Sequence, residues 1–158
     1  MLLDFFLQVD DIKGESKDAH HKDQIDALGF SWQLANNTPP HNGGAGAGKA
    51  QFGDMVITKK VDAASIPLTI IAATGKHLKK VRLEICRSGM PNSILYTISL
   101  RDVLISAVTQ SGHGSDNMLT EILSFNYTTI EWVYYTQDAK GGVTPTKGGF
   151  DLKKNTKI

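Results

Sequence analysis

The sequence predicts a mainly β protein, a small antiparallel β-barrel of two sheets with one flanking α-helix, and three observations carry that prediction. Apolar and polar residues alternate along most of the chain, the period of strands that bury one face. A helical spacing occurs in a single place, between Asp62 and Thr74. Two long alternating runs change phase midway, as strands do when they bend from one sheet into another. At 158 residues the chain makes one domain, residues 1–158. A chain of that length buries roughly 70% of its unfolded surface and needs no covalent staple.

Leu3, Phe5, Leu7 and Val9 share one face of the first strand, and the charged stretch from Asp11 to Asp23 connects it onward. Leu28, Phe30, Trp32 and Leu34 then alternate with small or uncharged neighbours, so a second strand is expected with that apolar set facing the core. A long Gly/Pro-rich loop follows at about 36–51, and a strand resumes from Phe52 to Val61 with Lys59 and Lys60 expected at its exposed end. The helix is placed at about Ser65–Thr74, with Asp62 or Ser65 as cap and Gly75 as the left-handed residue that ends it. Its apolar residues nearly encircle it, which calls for cover by sheet or by a neighbour. Val81, Leu83 and Ile85 face inward on the next strand. Ile94 to Leu100 alternate until a bend near Arg101 and Asp102, after which Val103, Ile105 and Ala107 carry the apolar face. A second phase change separates Leu123, Phe125 and Tyr127 from Ile130, Trp132 and Tyr134. A loop from Asp138 to Gly149 and a short strand at Phe150 to Leu152 complete the reading, about seven or eight strands in all.

Charge and composition remove several functions. Seventeen basic against sixteen acidic residues leave a net charge of +1, too little to gather nucleic acid or anionic lipid. No apolar stretch reaches the roughly 20 residues that span a bilayer, and Met1 to Asp10 lacks the basic start and small-residue cleavage site of a signal peptide. One cysteine, Cys86, forbids an internal disulfide; it continues the outward parity of Arg82 and Glu84, so partial exposure or cover by a partner is expected. Gly43 to Lys49 fits the phosphate-loop pattern up to its last position, where Ala50 lacks the hydroxyl that binds magnesium, and a strand rather than a helix follows. Ser111, His113 and Asp116 sit too close together on one turn to form a nucleophile, base and orienting acid. His20 and His21 beside Asp18 and Asp23 read as residues of a charged loop that face solvent or hydrogen-bond to local backbone, rather than as metal ligands. No enzyme activity, cofactor or metal is expected.

The run Gly14-Glu15-Ser16-Lys17-Asp18, the histidines after it, Ile25-Asp26 and Ser31-Trp32 together resemble the haemolysin-coregulated protein (Hcp) family, tube subunits of bacterial type VI secretion. Ala47-Gly48-Lys49, Gly75-Lys76-His77, Leu119-Thr120-Glu121 and Gly149-Phe150-Asp151 extend the resemblance over nearly the whole chain. Gln24, Phe30, Phe150 and the Pro39-Pro40 pair depart from the usual pattern, but phenylalanine keeps an aromatic where tryptophan is common.

The resemblance implies a hexameric ring, rings stacked into an exported inner tube, effector proteins carried in the lumen, and sheath and spike components of the machine as partners. It implies synthesis in the bacterial cytoplasm and export to the extracellular space or a target cell without a cleaved signal. On that reading Ala27, Gly29, Ser31 and Gln33 are candidates to face lumen and cargo, because parity turns them away from the core. Gly43, Gly44, Gly46, Gly48 and Lys49 are candidates for the subunit or ring interface. The alternative is a monomeric β-sandwich ligand-binding module using Trp132 and Tyr134.

Overall fold

The computed structural model describes residues 2–36, 49–90 and 93–158. Strand β1 (Leu3–Val9) lies antiparallel to β7 (Leu78–Arg87) along its whole length and to β2 (Ile25–Ala27) on its other side. The single strand expected from Leu28 to Leu34 is instead three short ones: β2, β3 (Gly29–Ser31) and β4 (Leu34–Asn36). The reason is a change of sheet. β2 belongs with β1, whereas β3 pairs with β6 (Met55–Lys60), and the Leu28 N–H donates to the Thr58 carbonyl at the crossing, 2.7 Å away. Crossing reverses parity, so Ile25 and Ala27 face the core before it and Phe30 and Trp32 after it. Leu28 and Leu34, expected inside, are 48% and 49% exposed.

β4 pairs with β5 (Ala50–Phe52) as a separate two-stranded arm. The expected interface residues Gly43, Gly44, Gly46 and Gly48 lie outside the described residues; Lys49, just before β5, is exposed. Helix α1 (Ser65–Thr74) stands where the helical spacing put it. Asp62 precedes it and accepts from the Ala64 N–H through Oδ1, while Gly75, at φ 66°, closes the last turn on the Ala72 carbonyl. Leu68 and Ile71 face the core, but Ile66 and Ile70 remain exposed, uncovered by either sheet.

β8 (Ile94–Ser111) is the long strand on which the architecture turns. Its first half pairs with β7 and β10 (Thr129–Gln137), its second half with β9 (Thr120–Asn126), and the expected bend falls at Asp102, φ 52°. A further register shift between Ile105 and Ala107 leaves Ala107 exposed and gives its expected inward place to Val108. The second phase change is the turn between β9 and β10, with Tyr127 buried. The loop expected from Asp138 to Gly149 is mostly strand β11 (Val143–Asp151), with β12 (Thr156–Lys157) beyond it. Pairing with β10 from Gln137↔Val143 to Thr129↔Asp151 overrides the turn chemistry of Gly148, Gly149 and Pro145. Proline is tolerated because β11 runs near the sheet edge.

Two antiparallel sheets result, sharing β8. Sheet A runs β12-β11-β10-β8-β7-β1-β2, and sheet B continues from β8 through β9 and β6 to β3. They pack one core between them, with Leu7, Leu83 and Leu100 from sheet A, Ile57, Leu123 and Phe125 from sheet B, and Leu68 from the helix.

Candidate functional site

The outer surface of sheet B is built by strict alternation. Because Phe30, Ile57 and Leu123 point inward in register, their neighbours point out, forming one row Ser31, Val56, Ser124, Ala107 and a second row Gly29, Thr58, Ile122, Thr109. Eight adjacent positions across four strands carry no charge and no side chain longer than isoleucine. A shallow hollow of about 400 Å³ opens beside them, lined by Ser31, Gln33, Asp54 and Ser124 among others. At this end Asp54 is held by the Ser106 hydroxyl and by Asn126 Nδ2 at 3.0 Å. Of the four residues placed on this face by parity, Ser31 and Gln33 are exposed and Gly29 is half-buried, its Cα facing open space. Ala27 precedes the crossing at Leu28 and packs on the core, so it leaves the face. The contributions of β6, β9 and β8 were not read from the sequence. Alternation alone would have found them once the pairing order was known.

Trp32 fixes the β3–β4 segment to the rest of the molecule. Its Nε1–H donates to Tyr127 Oη at 2.6 Å, and the Tyr127 hydroxyl donates to the Gly53 carbonyl at 2.7 Å. Burial pushes the Tyr127 phenol above its ordinary range, although the Trp32 hydrogen bond opposes this. Trp132 and Phe52 lie against the indole with ring centres 5.3 and 6.3 Å away, and Phe52 stacks on Phe150. Trp132 is therefore a packing residue, while Tyr134 is exposed beside Tyr96.

Lys59, expected at an exposed strand end, is fully buried. Its Nζ has four acceptors within hydrogen-bond distance, Glu121 Oε2 and Asp62 Oδ1, both at 2.8 Å, the Lys60 carbonyl at 2.8 Å and Ser65 Oγ at 3.0 Å, which its three N–H groups share. Glu121 also accepts from Ser65 Oγ and Gln110 Nε2, so both charges are saturated. Burial raises the Glu121 carboxyl, but hydrogen bonds from Lys59, Ser65 and Gln110 outweigh it and hold the group below its ordinary range. This network ties the start of α1 to β6 and β9. The sequence gives no sign of it, since a lysine on an inward position contradicts its usual exposure.

The loop between β1 and β2 is clamped over the outer face of sheet A. His21, expected in solvent or bonded to local backbone, is buried and bonded to a side chain: its ring stacks on Phe6 with centres 3.9 Å apart, Nδ1 meets Asp18 Oδ1 at 2.7 Å, and Nε2 faces Glu84 Oε2 at 3.5 Å. The hydrogen bond from His21 lowers the Asp18 carboxyl. His20 stays exposed. Gly14 is required at the neck of this loop, because an added Cβ would overlap the Gln24 carbonyl. Cys86 does lie on the outward face, as parity expected, but the cover comes from the chain's own His21, whose Nε2 is 3.9 Å from Sγ. Burial first, then the carboxylates of Glu84, Asp18 and Asp4, push the thiol up to about 11, which keeps it protonated and unreactive. Ser111, His113 and Asp116 are all exposed, with no side-chain hydrogen bond joining them among the described residues.

A family model described as "Type VI secretion system effector, Hcp" matches residues 6–134. The chain is 35% identical over 159 residues to protein hcp1 of Pseudomonas aeruginosa, covering 98% of each. In structure it resembles a type six secretion system protein at TM-score 0.92 and 30% identity, covering 99% of this chain and 100% of that one. It also resembles Hcp1 of Salmonella typhimurium at TM-score 0.82 and 26% identity over the whole of both chains.

Proposed function

The chain belongs to the Hcp family of type VI secretion, and from that membership we propose that it is a structural tube subunit whose rings of six stack into the exported inner tube. The two sheets act as the halves of a small barrel, joined through β8 and through the crossing at Leu28. The observation that carries the reading is the uncharged wall on sheet B, four strands wide, in a chain whose other sheet face is charged and partly covered by its own loop. Ser31, Gln33 and Gly29, with Val56, Thr58 and Ser124, line the channel. Effector proteins lie against side chains too short and too neutral to hold them fast. The glycine loop through Gly43, Gly44, Gly46 and Gly48 to Lys49 reaches the adjacent subunit or the next ring, where small residues permit close backbone approach. Sheath and spike components are the remaining partners, and the subunit leaves the cytoplasm through that machine. No catalytic step is assigned to any residue.

Native mass with negative-stain imaging tests this. A ring has six times the subunit mass of 17.2 kDa and an open centre. A monodisperse 17.2 kDa species at micromolar concentration refutes it and returns the chain to a monomeric binding module.

A further inference from the structure

A head-to-tail ring needs two different surfaces on each subunit that fit one another, on opposite flanks. Sheet A ends in β12 on one side and β2 on the other, six strand spacings apart, or about 29 Å along the sheet at ~4.8 Å each. Among the described residues β2 has no strand partner but β1, although the Gly14–Ser16 segment lies against its start through the Ser16 N–H to the Gln24 carbonyl, and β12 covers only the Phe150–Asp151 end of β11, leaving the outer side of 143–148 without a strand partner.

The two flanks carry opposite charge. Beside β1 and β2 runs a groove of about 800 Å³ that includes Leu3, Phe5 and Leu28, of which the two leucines are exposed. Five carboxylates rim it, Asp4, Glu15, Asp18, Asp26 and Asp62, against two lysines, Lys17 and Lys60. Three are already engaged inside the subunit: Glu15 by the Ala63 N–H, Asp18 by His21 and Asp62 by Lys59. Asp4 and Asp26 form no ion pair among the described residues. Lost hydration raises the Asp26 carboxyl; a hydrogen bond from Ser16 opposes this, and repulsion from Asp62, Asp18 and Asp4 adds to it. A cation seated there would relieve that repulsion.

On the other flank, residues 147–158 carry Lys147, Lys153, Lys154 and Lys157 against the single acid Asp151. All four lysines are exposed, and among the described residues their only ion pair is an exposed 3.9 Å contact from Lys153 to Asp102. Val143 and Ile158 add exposed apolar side chains to the same edge.

We propose that adjacent copies meet by seating the lysine-rich β11–β12 edge of one subunit in the carboxylate-rimmed groove beside β1 and β2 of the next. The proposal rests on the ring reading and names its contact. Leu3 and Leu28 supply apolar area, and the charge pairing sets direction and partner, so that groove meets edge and never groove. Each contact uses a different face of each copy, so rotation carries the chain onward until it closes.

The test is a charge swap. One variant reverses the groove (Asp4→Lys with Asp26→Lys), another reverses the edge (Lys153→Glu, Lys154→Glu, Lys157→Glu), and circular dichroism checks that each subunit is folded. Each variant alone places like charges face to face, so assembly weakens by at least roughly a hundredfold and monomer is recovered. Mixing the two restores rings in which they alternate, which an even-numbered ring permits. Rings from either variant alone, or a mixture that stays monomeric, overturn the proposal while leaving a wild-type ring intact. Absence of a wild-type ring refutes the tube reading itself. Should a reversed variant not fold, the milder Asp26→Asn and Lys157→Gln forms replace it: wild-type rings must then tolerate more salt than either, and equal tolerance overturns the proposal.

Discussion

Replacing Lys59 with methionine is expected to destabilise the subunit more than replacing Glu121 with glutamine, although both residues are fully buried. Lys59 stands between two carboxylates, each 2.8 Å from its ammonium. Removing it leaves Glu121 and the nearly buried Asp62 as unneutralised charges that also repel one another. Breaking a buried ion pair from one side costs about 3 to 5 kcal/mol, and Lys59→Met belongs in that range at about 4. Glu121→Gln leaves Lys59 paired with Asp62 and keeps an acceptor for it, so the loss is about 2 kcal/mol. The double variant removes both partners, and its cost should fall short of the sum by about 2 kcal/mol, the coupling of residues in one network. Urea unfolding followed by tryptophan fluorescence measures all three, at one fixed protein concentration because assembly adds concentration-dependent stability. Acid supplies an internal control. The Glu121 carboxyl lies below its ordinary value of 4.5 in the fold, so its contribution is fully present above that value and is lost as pH falls through the folded value. The wild-type advantage over Glu121→Gln is therefore flat from neutral to mildly acidic pH and shrinks only below about 4.5. A Lys59→Met cost under about 1 kcal/mol, or one smaller than that of Glu121→Gln, would refute the assignment of a saturated network to this site.

Trp32→Ala should cost about 3 kcal/mol, the lower end of the range for a tryptophan cavity because the indole is only half-buried, and should release the Tyr127 hydroxyl from one of its two bonds; equilibrium unfolding checks it. Cys86 should react with a thiol reagent far more slowly in the folded subunit than in urea, and His21→Ala should speed the folded reaction; equal rates in folded and unfolded protein would contradict the covered thiol. Ser31→Gln should lower retention of co-expressed cargo while leaving unfolding midpoint and ring mass unchanged, since the core face of β3 is untouched; dissolution of the ring would place Ser31 in a contact between subunits.

Local periodicity was enough to place β1, β7, the helix and the bend in β8, because each leaves a regular repeat, or a break in one, among neighbouring residues. It failed where the chain changes sheet without a marker. Nothing in the residues around Leu28 distinguishes a strand that crosses from one that continues, so Leu28 and Leu34 were given to the core and Ala27 to the surface. β11 was hidden for the converse reason: glycines and a proline weaken local strand preference, and only the long register with β10 restores it. Buried charge was the least legible feature. Lys59 and His21 are inside because Glu121, Asp62, Asp18 and Glu84 come from distant or turn positions to meet them, and single-residue exposure rules carry no information about such partners.

The two sheets put different chemistry on their outer faces, and the difference follows from what each face must do about water. Sheet A's outer face carries Arg82 and Glu84 and is partly roofed by the loop that His21 pins to Phe6, so Glu84 meets both His21 and Arg82 within the subunit. Sheet B's outer wall has nothing to satisfy: serine, threonine, alanine and valine offer small hydroxyls or methyls, and only Ile122 adds real apolar area. A surface with neither strong charge nor a large apolar patch attracts few partners firmly. That suits a wall past which other proteins move, whereas the charged flanks at β2 and β12 suit contacts that must hold. On the proposed tube reading, one subunit separates holding from passing by strand parity and sheet order, and a long side chain introduced at Ser31 or Thr58 tests the proposed passing face without touching the charged flanks.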